Sequence, residues 1–186
     1  MYSATPPWDI GRPQPAFLKL ANEGALRGRV LDIGCGTGEH ALMAAGLGLQ
    51  ATGIDAAPTA IAIAEDKARD RQLTARFLVW NALKLRSLGE QFDTVLDCGL
   101  FHVFDDDQRD QYVEALRTAL PAGGRYFMLC FSDRQPGHWG PRRVTEAEVR
   151  SSFAEGWIID VIEAVDITID PDGAQAWRVS LTRQDG

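Results

Sequence analysis

The chain has 186 residues, of which 45% are hydrophobic and 24% are charged, and its formal net charge is −7. This composition is ordinary for one globular domain, and the acidic balance argues against a nucleic-acid partner, whose phosphates normally meet a basic surface. The sequence contains no apolar run long enough for a membrane span, and residues 1–8 lack the basic and apolar regions of a signal peptide. With three widely spaced cysteines, these features predict a cytoplasmic protein with free thiols.

Short apolar runs alternate with helical patterns along the chain, which is typical of a doubly wound α/β domain. The runs predict strands at 29–33, 50–55, 75–79, 92–97 and 125–131. The patterns between them predict helices from about 39 to 47, from Pro58, and from about 107 to 120. Near the end of the chain, Thr145 and Glu148 predict a capping box. Two last runs, 157–166 and 174–182, predict an antiparallel hairpin that turns through 169–173.

A glycine loop, Gly34-Cys35-Gly36-Thr37-Gly38, follows the first predicted strand. Alternate glycines let the backbone turn sharply and approach a ligand closely. The stretch after Gly36 also satisfies a loose dinucleotide pattern, whereas the Gly-Lys-Ser/Thr of a phosphate-binding P-loop is missing. Asp32, just before the loop, would repel a pyrophosphate and attract a cation, which favours S-adenosylmethionine (SAM) over NAD. An aspartate that only orders the turn is the alternative.

Asp55 ends the second predicted strand, about twenty residues beyond the glycine loop. A carboxylate at this place in a doubly wound fold accepts hydrogen bonds from both ribose hydroxyls. NAD and SAM both contain a ribose, so Asp55 predicts a nucleoside without choosing between them. A role at the start of the next helix is compatible with this one.

The segment from Leu31 to Gly38 resembles the first motif of the class I SAM-dependent methyltransferases, and the resemblance runs from about Trp8 to Phe131. It implies a Rossmann-like, three-layer αβα fold whose seven-stranded sheet has the order 3-2-1-4-5-7-6, with strand 7 antiparallel. It also implies SAM as cofactor and S-adenosylhomocysteine as product. The cofactor-binding residues it implies are Trp8, Asp32, Gly34, Cys35, Gly36, Asp55, Ala56, Asn81, Ala82 and Cys98. Asn81 stands where the family commonly has Asp, but its amide oxygen still accepts from an adenine amino group.

The proline-rich stretch Pro7–Pro15 resembles the N-terminal segment of the thiopurine and halide methyltransferases. Within a single domain over 1–186, the resemblance implies that residues 1–25 form a lid segment and a helix over the cofactor site. Trp8 and Ile10 would then exclude water, or Trp8 packs on the sheet edge instead. The residues after the fourth strand lack the proline motif of methyltransferases that act on nucleic-acid amino groups. This absence favours a small-molecule acceptor.

His102 follows the fourth predicted strand, near the carboxyl ends of the strands, where open α/β sheets bind ligands. An imidazole titrates near neutrality, so His102 is the predicted general base. Its alternative roles are to cap the next helix or to bond a backbone carbonyl. The acceptor pocket is predicted to contain Phe101, Phe131, Ser132 and Trp139, with Phe131 equally a candidate core residue. Such a pocket favours a flat acceptor with an O, S or N nucleophile.

The acidic run 105–107 is predicted to cap the next helix rather than to bind a metal, because a helix N-terminus favours negative charge. Two other functions are compatible with parts of the sequence. One is a nicotinamide-dependent Rossmann oxidoreductase, and the other is a non-catalytic SAM-binding module. The oligomeric state is not predicted.

Overall fold

The computed structural model describes residues 6–169 and 172–185, and the strands in these ranges form one seven-stranded sheet. They are β1 (Arg29–Ile33), β2 (Gln50–Asp55), β3 (Ala75–Val79), β4 (Thr94–Cys98), β5 (Arg125–Phe131), β6 (Trp157–Thr168) and β7 (Gly173–Arg183). The strand order is β3-β2-β1-β4-β5-β7-β6, and β7 pairs antiparallel with both of its neighbours. The predicted sheet order and strand direction are confirmed.

The helices in the same ranges are α1 (Pro15–Asn22), α2 (Glu39–Gly46), α3 (Pro58–Asp70), α4 (Asp106–Ala119) and α5 (Glu146–Ser152). Two 3-10 segments, Ala82–Leu88 and Phe101–Val103, follow β3 and β4. Helices α1 and α3 have proline in the first turn, where the missing amide costs nothing. Asp105 caps α4 through a capping box with Gln108, and Thr145 and Glu148 form the predicted box at α5. Both capping predictions are confirmed.

The core consists of two apolar clusters, and strand residues enter them alternately because successive side chains point to opposite faces of a sheet. In β1, Leu31 and Ile33 join one cluster while Val30 joins the other. The first cluster packs against α4 and α5, with Tyr112 and Phe153 fully buried, and the second packs against α1, α2 and α3. The sheet is therefore the middle of three layers, as the resemblance implies.

The predicted element boundaries differ from the observed ones by at most two residues. Strand β4 begins at Thr94 rather than at residue 92, because Asp93 lies in a bend where its Oδ2 accepts from the Arg29 amide at 2.7 Å. The antiparallel pairing of β6 with β7 is confirmed from Trp157↔Arg183 to Thr168↔Gly173. The turn predicted through 169–173 includes residues 170 and 171, which lie outside the described residues. Across both described ranges, every helix is too short or too polar to cross a membrane.

Candidate functional site

A cavity of about 550 Å³ opens at the carboxyl ends of β1, β2, β4 and β5. Its volume is in the range of ligand pockets, and it lies at the point where the strand order reverses between β1 and β4. The glycine loop, the loop after β4, the N-terminal segment and the loop after β5 form its wall. The predicted site residues in this wall are Trp8, Gly34, Cys35, Gly36, Asp55, Cys98, His102, Phe131 and Trp139.

The glycine loop has a backbone that other residues adopt only with strain. Gly34, Gly36 and Gly38 have φ of 69°, 52° and 87°. A Cβ on Gly38 would lie 2.8 Å from side-chain atoms of both Ala64 and Phe77, so that position has no room for a side chain. Gly34 and Gly36 lie on the cavity wall, where they expose backbone without a side chain.

Asp55 joins the glycine loop to the start of α3. Its Oδ2 accepts from the Gly36 amide at 2.9 Å, and its Oδ1 accepts from the Ala57 amide at 2.8 Å. Each carboxylate oxygen has more than one lone pair, so Asp55 retains capacity to accept from hydroxyls of a ligand. The carboxylate thus combines a structural role at the helix start with a position on the cavity wall.

Asp32 lies behind the glycine loop and is 1% exposed. Its Oδ2 accepts from the Ala41 amide at 2.9 Å, while Oδ1 is buried and has no hydrogen-bond partner among the described residues. Burial raises the pKa of Asp32 to about 7 against the effect of the Ala41 amide, and the neighbouring carboxylates, first among them Asp55, add to the increase. Asp32 therefore orders the turn and also leaves one oxygen that a nearby cation would stabilise.

Asp97, at the end of β4, shapes the loop that follows. Its Oδ2 accepts from the hydroxyls of Tyr112 at 2.8 Å and Tyr126 at 2.7 Å, and its Oδ1 accepts from the Leu100 amide at 2.8 Å. Burial raises the pKa of this carboxyl to about 6 despite those hydrogen bonds. Asp97 was not predicted as a separate site residue, because its tyrosine partners lie 15 and 29 residues away in sequence.

His102 lies on the cavity wall and is 6% exposed. Its Nδ1 accepts from the Phe131 amide at 2.9 Å. Burial lowers the pKa of His102 to about 4, and the charges of Arg143 and Arg109 contribute, so the ring is neutral at pH 7 and carries its proton on Nε2. The predicted role as general base does not fit this arrangement, because Nδ1 is engaged and Nε2 is a donor. The alternative role, a bond from His102 to a backbone carbonyl, is not seen at Nδ1, which accepts from a backbone amide instead.

Aromatic rings form the cavity wall beyond His102. Phe131 meets His102 edge-on, with centroids 5.1 Å apart, and meets Trp139 edge-on at 5.7 Å. Phe131 is 3% exposed and belongs to the core as well as to the wall, whereas Trp139 is half exposed. These rings offer a flat, weakly polar surface next to the donor of His102.

Two residues that were predicted to line the acceptor pocket do not line the cavity, so this part of the prediction is wrong. Phe101 is fully buried and stacks on Phe153 at 5.7 Å, because the 3-10 turn directs it inward and directs the next residue, His102, to the cavity. Ser132 is also fully buried. Of the predicted cofactor residues, Asp32, Ala56, Asn81 and Ala82 lie outside the wall of this cavity, and Asn81 Oδ1 accepts from the Leu83 amide.

The N-terminal segment is attached to the glycine loop by a contact that sequence analysis missed. The Thr37 hydroxyl donates to Asp9 Oδ2 at 2.9 Å and accepts from Lys67 Nζ at 2.6 Å. Trp8 and Ile10, on either side of Asp9, both line the cavity. We call the chain Asp9–Thr37–Lys67 the latch. A hydroxyl between two loop glycines was the one signal in the sequence that could have indicated it.

A bound metal ion would need a group of side chains that can coordinate it. Within 6–169 and 172–185, no three His, Cys, Asp or Glu side chains are grouped so that they could hold a metal ion.

His40, which the sequence places inside a helix, accepts from the Gln14 amide through Nε2 at 3.1 Å and contacts the edge of Phe17. It fixes the start of α1 to α2.

Comparison with known proteins identifies the family. A family described as "Methyltransferase domain" matches residues 30–124, about half of the chain. A 2-heptyl-1-hydroxyquinolin-4(1H)-one methyltransferase from Mycobacteroides abscessus is 38% identical over 176 residues, covering 93% of this chain and 78% of the relative. A structure solved in work on the conversion of a disulfide bond into a thioacetal group during echinomycin biosynthesis is 39% identical, with a TM-score of 0.87, and the match covers 96% of this chain and 84% of that one.

The fold is also shared with more distant structures. The magnesium protoporphyrin IX methyltransferase from Synechocystis PCC 6803, solved with bound SAM, has a TM-score of 0.73 at 19% identity, covering 91% of this chain and 80% of that one. At this identity the likeness concerns the fold alone. The family match and the relative from Mycobacteroides abscessus decide the assignment: the chain belongs to the methyltransferase domain family.

Proposed function

We propose that the chain is a SAM-dependent methyltransferase that moves a methyl group to an O, S or N nucleophile of a small aromatic or heterocyclic molecule. The observation that carries this proposal is one continuous cavity with two chemically different sides. The glycine loop and Asp55 form one side, and the rings of His102, Phe131 and Trp139 form the other. A methyl donor and a flat acceptor placed on these sides would meet at the end of β4.

The first side of the cavity, together with the Asp32 carboxylate behind the glycine loop, fits SAM. Asp32 has an oxygen without a hydrogen-bond partner among the described residues, and a cationic ligand would stabilise its charged form. Asp55 faces the cavity with capacity to accept from ribose hydroxyls. When bound, SAM supplies an electrophilic methyl group on a sulfonium. A nicotinamide dinucleotide, the cofactor of the alternative oxidoreductase, would bring a pyrophosphate toward Asp32.

On the second side, His102 acts as a hydrogen-bond donor rather than as a base. Its Nε2–H would bind the nucleophilic atom of the acceptor and hold it in line for transfer, while Trp139 and Phe131 pack against the ring. An acceptor that is already ionised needs no base. We therefore expect phenols, N-hydroxy heterocycles or thiols whose own pKa lies near or below the working pH, and not simple alcohols.

The N-terminal segment would close the site. Trp8 and Ile10 lie on the wall beside the glycine loop, and the latch holds them there. Closing the cavity excludes water from the reacting atoms. The predicted adenine contact of Asn81 and Ala82 stays a prediction. Three free cysteines fit a reducing compartment, and the cytoplasm is the location we propose.

The test is product formation with a panel of acceptors. The protein is incubated with SAM and, in turn, 2-heptyl-1-hydroxyquinolin-4(1H)-one, nitrophenols, aryl thiols, N-heterocycles and simple alcohols, and S-adenosylhomocysteine is measured. We expect turnover with one or more ionisable aromatic acceptors and none with simple alcohols. SAM binding without product from any acceptor would instead favour the non-catalytic binding module.

A further inference from the structure

The guanidinium of Arg143 donates hydrogen bonds to five backbone carbonyls of the loop that follows β5. Its Nη1 donates to the Pro141 carbonyl at 2.7 Å, and its Nη2 donates to the Trp139 carbonyl at 2.9 Å. Its Nε donates to the Gln135 carbonyl at 3.2 Å. Longer bonds of 3.4 Å reach the carbonyls of Pro136 and Gly137. Every one of these acceptors belongs to the segment 135–141, which we call the Trp139 loop.

The same guanidinium also lies over two rings of the acceptor side. Its central carbon is 5.2 Å from the Phe131 ring centroid and 5.6 Å from the Trp139 ring centroid. Both distances are within the range of cation–π attraction. Arg143 therefore contacts the backbone of the Trp139 loop and the two rings that meet edge-on at the cavity.

The Trp139 loop depends on these bonds because it has little regular structure of its own. Residues 136–141 form neither helix nor strand. A lysine at position 143 would keep the positive charge, but a single ammonium cannot reproduce the planar fork that reaches three carbonyls at once. The guanidinium shape, and not only its charge, is matched to this loop.

We propose that Arg143 is a positioning residue that sets acceptor specificity by holding Trp139 against Phe131. It acts through Trp139, which lines the cavity, while Arg143 itself lies behind the two rings. This inference rests on the proposed function, because it assigns the Phe131–Trp139 pair to the acceptor. The charge of Arg143 also contributes to the lowered pKa of His102, so a lysine variant separates the loop effect from the charge effect.

The test compares Arg143→Lys with Arg142→Lys, the same chemical change one residue earlier. Arg142 is bound to Asp106 and Glu148, away from the Trp139 loop. We expect Arg143→Lys to raise KM for the best acceptor of the panel about tenfold or more, because small misplacements of a positioning wall are costly. KM for SAM and the pH profile should stay at wild-type values, and Arg142→Lys should match wild type in all three.

Hydrogen exchange provides a readout that needs no acceptor. The protected amides lie at the start of the Trp139 loop and just after it: the Gln135 amide donates to the Ser132 carbonyl at 3.0 Å, and the Val144 amide donates to the Phe131 carbonyl at 2.9 Å. In Arg143→Lys these two amides should exchange faster while the bonded amides of the glycine loop stay unchanged. An unchanged acceptor KM, or unchanged exchange at these two amides, would overturn the assignment of Arg143. Wild-type protein that binds SAM but methylates no acceptor would instead overturn the proposed function. The hydrogen-exchange rates in Arg143→Lys would then decide alone whether Arg143 holds the loop.

Discussion

Replacing Thr37 by valine tests the latch that holds the N-terminal segment over the glycine loop. The hydroxyl donates to Asp9 Oδ2 at 2.9 Å and accepts from Lys67 Nζ at 2.6 Å. Valine is similar in shape, so the substitution removes both hydrogen bonds and changes little else at a position that is 5% exposed. The N-terminal segment would then lose its side-chain bond to the loop.

The size of the effect follows from these contacts. A hydrogen bond to a charged group contributes about 1.5–3 kcal/mol. Lys67 keeps its bond to Glu39 at 2.8 Å and its ion pair with Asp9 Oδ1 at 3.9 Å, so neither charge is left unpaired and the loss is closer to one bond than to two. The bond energy sets the upper bound on the loss of affinity, which is reached when SAM binds only with the segment latched. Since about 1.4 kcal/mol is a tenfold change in affinity, SAM should bind Thr37→Val about tenfold, and at most a hundredfold, more weakly than wild type.

Calorimetry measures this affinity, and stopped-flow release of SAM shows whether the change lies in the off-rate, as opening of a lid requires. Thr37→Ser is the matched control, because serine keeps the hydroxyl, and it should stay near wild type. In the double variant with Asp9→Ala the total loss should be smaller than the sum of the two single losses, since both substitutions break the Thr37–Asp9 bond, while Asp9→Ala also removes the ion pair with Lys67. Wild-type SAM affinity in Thr37→Val would refute the reasoning, because the latch would then contribute nothing to cofactor binding.

Two further predictions concern the buried titratable groups. Burial raises the pKa of Asp32 from its usual 3.8 to about 7, so the folded state holds the extra proton and stability falls as pH rises through that window. Asp32→Asn should reduce this pH dependence in urea unfolding, with a remainder from Asp97, whose pKa is raised to about 6, and should also weaken SAM binding; an unchanged slope between pH 5 and 8 argues against the buried carboxyl. His102→Phe should lower kcat/KM by a similar factor for all acceptors, because a donor is lost. A loss that grows steadily with acceptor pKa in a series of phenols would restore His102 as a base.

Most of the sheet could be predicted because each strand is indicated by residues that lie close together in the sequence. Each strand of 29–33, 75–79 and 125–131 shows its apolar run within a few residues, and the observed bounds of β1, β3 and β5 agree with these runs. The glycine spacing likewise identifies the loop after β1, and the acidic residue at the end of β2 identifies Asp55. The capping residues of α4 and α5 act within four positions of one another.

The chemistry of the site depends on residues far apart in sequence, and these pairings were not predicted. The proton position on His102 is set by the Phe131 amide, 29 residues away, so the residue type alone indicated a base where the structure has a donor. Thr37 meets Lys67 thirty residues later in the chain. Phe101 and His102 are adjacent in a 3-10 turn, where sequence spacing does not decide which of the two faces the cavity.

A calorimetric titration with SAM, S-adenosylhomocysteine and NAD examines the cofactor side of the cavity most directly. The account predicts that SAM and its product each bind at one site per chain and that NAD produces no heat of binding. Asp55→Ala, which removes the carboxylate expected to receive the ribose hydroxyls, should weaken both adenosyl ligands. Binding of NAD by a chain that ignores SAM would contradict the assignment of this cavity to a methyl donor.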